Sequence, residues 1–442
     1  MTAAFAACNS VYAAIPVCAV NGLGLALVIP NVQSLTADYN SSDSRGTAFG
    51  FLWVTISVGG MLGTLFATNI GAHRPLGIDG WRFAFLTVAA VSLVVGLLNI
   101  FFVHDPSWSQ DSEHHRGGVA TINGSDHVDR DSSDADPGDH GSSSGSQSRG
   151  GGMDWAALAV VWREIREIMR IPTFAIIIIQ GIIGSVPYNA LIFLTLYLQL
   201  MGMSNAHASL LVALYLGGGG LGGLLGGWVG DRASRRWPNH GRIAATQFSV
   251  IVGIPFVAVI FKVLPLNGEP STVAWYAVTI LVFALATSWP APCANNPIFA
   301  EIVPQEQRTL IYAFDRCFEG AIAATSAPLV GLMSQRIFGF SGASTVSGDR
   351  QRDLANARAL GNALLAFCCF SWTFCFLMYS GLHYTYPRDK RAALYKHARL
   401  TEEKEGPSPA MQPLADADDN DVVVETRTLL QSRRSSPEPI EP

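Results

Sequence analysis

Three charged residues, Asp315, Arg316 and Glu319, lie close together inside an otherwise apolar stretch of the sequence. On a helix, residues three and four positions apart share a face, so the arginine can form an internal ion pair with a carboxylate. A lone charge in lipid costs at least about 2.5–3.5 kcal/mol, so charges in membrane helices are usually paired and functional. The cluster predicts either a brace that holds a gate closed or a site that couples transport to protons or substrate.

A second charged group ends a glycine-rich run, "LYLGGGGLGGLLGGWVGDRASRR", at residues 214–236. A dinucleotide-binding loop would follow a short strand and open a helix. This run instead belongs to an apolar stretch that is long enough to cross a bilayer, and its glycines recur every fourth position, which lets membrane helices approach closely. We interpret the charges at its end as a brace at the membrane surface. The bracing residues are Asp231, Arg232, Arg235 and Arg236.

A short pattern that occurs twice adds further gate candidates. An acid is followed seven residues later by an arginine, first as Asp38 and Arg45 and again, 263 positions on, as Glu301 and Arg308. Parallel repeats of this kind are typical of transporters that are built from two similar halves. We therefore add Arg45, Glu301 and Arg308 to the predicted ion pairs of the gate.

Polar and aromatic residues inside the apolar stretches are candidates for a substrate path, because transporter sites lie near the bilayer midplane. Each of them is also compatible with a simple hydrogen bond between helices. The bunching in "SWPAPCANNP" favours a cavity, because its prolines free backbone carbonyls at membrane depth. The balance of amides and aromatics favours a neutral, zwitterionic or amphiphilic solute. The candidates are Asn21, Trp53, Gln180, Tyr188, Asn189, Gln247, Trp289, Asn295 and Asn296.

Composition indicates the elements that must position these residues. Only 14% of the 442 residues are charged, against about a quarter in soluble domains. The seven cysteines show no CxxC spacing, and no HExxH motif occurs, so we predict no enzyme activity, cofactor or resident metal. Charge-free intervals predict nine membrane spans. The spans are 11–36, 47–70, 82–103, 172–200, 207–230, 242–264, 272–300, 309–334 and 357–383.

The chain divides into five segments by composition. Residues 1–104 form a partial N-terminal helical half with three spans, and 171–384 form a C-terminal half with six. The polar segment 105–152 cannot bury enough apolar surface to fold, so we predict a disordered loop. Residues 153–170 have the amphipathy of a helix that lies along the membrane surface. The acidic, proline-containing residues 385–442 predict a disordered tail.

The placement of arginine and lysine predicts the orientation. The bias puts the N-terminus outside and residues 105–170 and 385–442 in the cytosol. The tail sequence "ETRTLL" resembles the acidic dileucine signals read by vesicle coat adaptors, through Glu425, Leu429 and Leu430. This predicts an endomembrane or vacuolar address, although two adjacent leucines also occur by chance, and a plasma-membrane location stays open. We expect no nucleic-acid partner.

A family resemblance joins these observations. "GGWVGDRASRR" resembles the loop motif of the major facilitator superfamily, with Ser234 where a glycine is usual. The stretches "NGLGLALVIPNVQSLTAD", "RGTAFGFLWVTISVGGMLG", "GWRFAF", "NNPIFAEIVP" and "RTLIYAFDRCFEG" resemble the spinster-like facilitators of plants and algae. The resemblance runs over about residues 11–383 outside the long loop. It implies an all-α, multi-pass membrane protein with the major facilitator fold, in which helices four to twelve of twelve are present.

The same resemblance implies a function. Such proteins are secondary active transporters that work by alternating access. We therefore expect the chain to carry a small organic solute or an amphiphilic, lipid-like molecule, with protons as the coupling ion. The apparent lack of three helices leaves an alternative, a truncated remnant or regulatory paralogue that does not transport. We also expect the native protein to begin roughly a hundred residues upstream of Met1, the length of three spans with their loops.

Overall fold

The computed structural model describes residues 1–71, 73–102, 155–323, 325–342 and 345–405. All regular elements in these ranges are helices. The N-terminal ones are α1 (Thr2–Ala6), α2 (Val11–Tyr39), α3 (Arg45–Gly71), α4 (Gly80–Phe102) and α5 (Trp155–Met169). They are followed by α6 (Pro172–Ala190), α7 (Leu194–Leu200), α8 (Asn205–Arg236), α9 (Gly241–Ala258) and α10 (Pro270–Thr287). The last are α11 (Asn296–Ile302), α12 (Arg308–Ala323), α13 (Ser326–Arg336) and α14 (Arg350–Glu405).

Nine stretches of the described chain are helical, long and apolar enough to cross a membrane. This confirms the predicted all-α, multi-pass architecture. The helix predicted at 153–170 forms as α5, and its position along the membrane surface stays a prediction. The loop at 105–152 and the sorting residues Glu425, Leu429 and Leu430 lie outside the described residues.

The C-terminal boundary differs from the sequence prediction. The last helix does not end near residue 384 but continues to Glu405, so the predicted disorder from residue 385 is wrong for this stretch. The reason is that the added turns have partners: Tyr386 is buried and Lys390 pairs with Glu301. By contact density the chain forms two units, Met1–Ala393 and Leu394–Pro442.

Two spans are interrupted where the sequence carries proline. A 3₁₀ turn at Leu191–Phe193 separates α6 from α7, just after Pro187. A π turn at Ala291–Asn295 precedes α11, because Pro290 and Pro292 supply no backbone N–H to the helical ladder. Irregular backbone at membrane depth is tolerated where protein or a cavity surrounds it, and the second break positions Asn295 and Asn296.

The glycine stripe of α8 forms close contacts with helices of both halves of the bundle. A Cβ atom at Gly223 would lie 2.8 Å from the Cβ of Trp53 on α3, and one at Gly222 would lie 2.7 Å from the carbonyl oxygen of Leu285 on α10. Gly46 and Gly227 meet backbone to backbone. Close approach of this kind needs small residues on both faces, so α8 packs tightly against α3 of the first half on one face and against α10 of its own half on another.

Packing is uneven along the bundle. On α2, residues Pro30 to Ala37 include buried positions, whereas a Cβ atom at Gly22 or Gly24 would have no neighbour within 4 Å. We call the tightly packed end of the bundle the basic end, because Arg45, Arg242 and Arg308 lie there. At this end α2, α8 and α11 finish, and α3, α9 and α12 begin. The halves therefore meet most closely at the basic end.

The free energy of unfolding should be sensitive to a larger side chain at Gly222, on the face of α8 that packs against α10, and insensitive to one at Gly219. We expect Gly222→Ala to lower the midpoint of thermal unfolding in detergent, because the new methyl group would press on backbone oxygens only 2.7 and 2.8 Å away. Overpacking of this kind costs about 1–3 kcal/mol. The matched control is Gly219→Ala on the same helix, where the nearest neighbour lies at an ordinary 3.4 Å. Equal midpoints for the two variants would contradict the packing described here.

Candidate functional site

Asp231 joins the end of α8 to the start of α3. Its carboxylate is 1% exposed and accepts hydrogen bonds from the backbone N–H of Gly46 at 2.9 Å and of Thr47 at 2.7 Å. The hydroxyl of Thr47 donates a third bond at 2.6 Å. The first-turn N–H groups of a helix have no partner within the helix and attract negative charge. Asp231 therefore satisfies the start of α3 across the boundary between the halves.

Arg242 is the charged partner of this carboxylate. Its guanidinium is 2% exposed and lies 2.8 Å from Asp231, and it also donates to the carbonyls of Ser42 at 2.9 Å and Cys293 at 3.1 Å. The sequence prediction missed this residue as a partner. It could have been found, because α9 folds back on α8 after a short turn and begins at Gly241.

The arginines that follow Asp231 do not join this site. Arg232, Arg235 and Arg236 are exposed, and none makes an ion pair within 4 Å in the part of the chain that the structure describes. This corrects the prediction that they brace the gate. The physical reason is that the Asp231 carboxylate is buried and already bound by the start of α3 and by Arg242, whereas the three arginines take exposed positions in the last turns of α8.

The arginine of one repeat copy forms an ion pair with the acid of the other copy. Arg308 of the second copy forms an ion pair with Asp38 of the first, and both side chains are largely buried. Their repeat equivalents are Arg45 and Glu301. Arg45 instead donates through its Nε to the carbonyl of Ala37 at 3.1 Å, so one of the two symmetric pairs is made directly.

Glu301 takes its partners from the last helix. Its carboxylate accepts a hydrogen bond from the hydroxyl of Tyr386 and lies 2.8 Å from the ammonium of Lys390. Both residues lie beyond the predicted end of the last span, which is why the sequence did not indicate them. The ion pair fastens the C-terminal extension of α14 to the end of α11.

Two contacts join equivalent positions of the repeat. The amide of Gln33 donates to that of Asn296 at 3.3 Å, and these residues are 263 positions apart. The rings of Phe49 and Tyr312, separated by the same offset, have centroids 6.0 Å apart. In two-fold symmetry a position contacts its own equivalent only at the axis. These two contacts therefore close the basic end at the two-fold axis that relates the two copies of the repeat.

The charge cluster that opened the sequence analysis is an ion-pair triad on α12. Arg316 lies 2.6 Å from Asp315 and 3.1 Å from Glu319. Asp315 is fully buried, and one of its carboxylate oxygens has no hydrogen-bond partner among the described residues. Glu319 lies against Gly181 of α6. Two carboxylates share one guanidinium, so the triad has room for one further positive charge or proton.

Four substrate-path candidates lie on helices of the second half, and two of them, Asn295 and Tyr188, link helices within it. Asn295 accepts a hydrogen bond from Tyr379 at 2.7 Å, and Asn296 accepts from Gln33 across the halves. Tyr188 donates to the carbonyl of Thr287 at 2.6 Å. The fourth, Gln180, is buried and donates only to its own helix.

The other five candidates contact neighbouring or local elements. Trp53 and Trp289 pack against Gly223 and Gly226 of α8, and Gln247 bonds to Ser380 and His383 of α14. The last two make local bonds: Asn21 accepts from Thr2, and Asn189 donates to its own helix. Within the described ranges, no group of three or more His, Cys, Asp or Glu is placed to hold a metal ion.

Comparisons with known proteins place this arrangement in a family. A family model described as the Major Facilitator Superfamily matches residues 1–328. Comparison with curated proteins finds no match.

Two solved structures are similar in fold. One is a bacterial homologue of the human lysosomal transporter Spinster in an inward-facing and unoccupied conformation, at 17% identity and TM-score 0.45, covering 81% of this chain and 74% of that one. The other is the proton:xylose symporter XylE bound to 6-bromo-6-deoxy-D-glucose, at 16% identity and TM-score 0.43, covering 78% and 66%. The family match spans more than half of the chain, and the protein therefore belongs to the Major Facilitator Superfamily of membrane transporters.

Proposed function

We propose that this protein is a secondary active transporter that carries a small organic solute or an amphiphilic, lipid-like molecule by alternating access, with protons as the coupling ion. The observation that carries the proposal is the closure of the basic end at the repeat axis. Gln33 with Asn296, and Phe49 with Tyr312, join equivalent positions of the two copies. Halves that rock about a central site must separate and rejoin at such contacts.

The charges of the basic end suit a gate that opens and closes. Asp38 and Arg308 come from different halves, as do Asp231 and the start of α3. Opening this end would expose both groups to water, which compensates for the lost pairs. The closed and open arrangements can then differ by only a few kcal/mol, as a two-state transition requires.

The triad on α12 supplies a coupling site. Its carboxylates lie deeper in the span than the gate, and Asp315 keeps one oxygen without a partner. Ionisable groups at membrane depth typically mark proton relays or substrate contacts. With a proton on one carboxylate, the remaining carboxylate balances the charge of Arg316 and the triad is neutral. Protonation of the triad can therefore be linked to which side of the membrane the transporter opens to.

The uncharged polar side chains of the second half support the substrate class. Tyr188, Asn295 and Asn296 offer hydroxyl and amide groups and no charge. Such groups recognise hydroxyls, amides and headgroups and give no counter-ion for a multiply charged solute.

A protein that does not transport is the second candidate. The observation that favours it is the open face of the first half, where Cβ atoms at Gly22, Gly59 and Gly60 would have no neighbour within 4 Å. Within the described residues, this face of the first half thus has no helix packed against it. A regulatory relative would keep the closed basic end and have no use for the triad.

Transport by purified protein in liposomes separates the two candidates. The panel is lysolipids, sugars and organic acids, each offered with and without an inward proton gradient. We expect one class to be taken up faster with the gradient than without it. Uptake that is indifferent to a protonophore would contradict proton coupling, and no uptake of any class would favour the regulatory candidate.

The cross-repeat pair predicts a rescue. We expect Asp38→Arg or Arg308→Asp alone to slow uptake, because like charges then face each other between the halves. The double exchange restores the pair in reverse, with a coupling energy of about 0.5–3 kcal/mol. The matched control exchanges Arg74 and Asp79, an exposed pair, and should leave uptake unchanged. Additive losses in the double variant would show that the two residues do not act as a pair.

The triad predicts a loss of transport without a loss of protein. We expect Asp315→Asn and Glu319→Gln to slow uptake strongly. The fractional loss of uptake should exceed the fractional change in protein abundance that Asp231→Asn causes. The control is Glu306→Gln, an exposed acid before the same helix, which should keep the parental rate. If both triad variants also transport at the parental rate, the cluster is neither a gate nor a coupling site.

A further inference from the structure

A pocket of about 690 Å³ lies at the basic end of α8 and the turn that follows it. Its charged and aromatic lining consists of Trp228, Arg232, Arg235, Arg236 and Trp237. These are the arginines that the structure keeps out of the gate. The pocket therefore has a different use from the Asp231 site, whose partners are the start of α3 and Arg242.

The three arginines carry positive charge that no described residue neutralises by an ion pair within 4 Å. The neighbouring acid, Asp231, is buried and committed to α3 and Arg242. Among the described residues, an aromatic ring lies beside one of them: the guanidinium of Arg236 is 5.9 Å from the ring centroid of Trp237. A planar guanidinium with free donors matches phosphate oxygens best, because it can give two parallel hydrogen bonds.

The position of the pocket selects a phosphate that is attached to lipid. Leu221, Leu225, Trp228, Arg232 and Arg235 follow one another at spacings of three and four, so they form one stripe along α8. The leucines are exposed on the described surface, at 56% and 42%, and they lead from the apolar part of the span to the arginines. Tryptophan favours the depth of lipid headgroups. The stripe thus offers an apolar track for an acyl chain and a basic end for its headgroup.

We propose that this pocket binds the headgroup phosphate of an anionic phospholipid in the leaflet at the basic end. The arginines hold the phosphate, the two tryptophans flank the headgroup, and the leucines contact an acyl chain. The inference does not depend on transport, because within the described residues none of the three arginines pairs with the charged residues of the gate.

Native mass spectrometry of the full chain in detergent tests the proposal. The probes are phosphatidylglycerol and phosphatidylcholine with the same acyl chains. We expect the parental protein to retain phosphatidylglycerol in preference. Replacing Arg232, Arg235 and Arg236 with glutamine should weaken that binding about a hundredfold, since each of the three basic residues near a membrane surface contributes about a fivefold factor. Binding of phosphatidylcholine should stay unchanged.

The matched control makes the same charge change at the opposite end of the bundle. Arg336, Arg352 and Arg358 are exposed, and their replacement with glutamine should leave the preference intact. An equal loss in this control, or parental binding in the first variant, would overturn the proposal. The variant Trp228→Leu with Trp237→Leu keeps every charge and should also weaken retention, which tests the pocket if the arginine variant fails to fold. Binding of glycerol phosphate as tight as that of phosphatidylglycerol would show a site for free phosphate and overturn the lipid assignment.

Discussion

The basic end depends on one buried carboxylate. Asp231 accepts from the first-turn N–H groups of α3 and pairs with Arg242, so one side chain satisfies a helix start, a guanidinium and the boundary between two halves. Away from water, each of these groups would be costly if left alone. The close approach of α3 and α8 through Gly46 and Gly227 follows from the same contact, because the carboxylate reaches the backbone of α3 only if no side chain stands between the helices.

The spans could be predicted from the sequence because lipid excludes charge, and the long apolar intervals show where it does so. The partners of the charges could not. Asp231 pairs with Arg242 and not with the arginines beside it, since partner choice depends on which way each helix face turns. Glu301 pairs with Lys390, and the sequence placed that residue in a disordered tail, because hydropathy falls before the helix ends.

The internal repeat relates more residues than the acid and arginine pairs that reveal it. Its offset of 263 residues identified Asp38 and Glu301 as equivalents, yet it also relates Gln33 to Asn296, which touch. A search for polar or aromatic pairs at this offset would have found the axis contacts. The crosswise pairing of Asp38 with Arg308 needed the structure, because a repeat fixes which residues correspond and not which residues meet.

The contacts at the repeat axis constrain which side chains can stand there. At the moment of duplication a residue on such an axis faces its own copy, so its chemistry must be self-complementary. An amide is both donor and acceptor, and an aromatic ring packs against another ring, which suits Gln33 with Asn296 and Phe49 with Tyr312. An acid or an arginine would meet its like and repel it. Charges can therefore enter such an interface only away from the axis and in pairs of opposite sign. A mutation that places a charge on the axis requires a different residue at the equivalent position of the other copy, so the sequences of the two halves must then diverge.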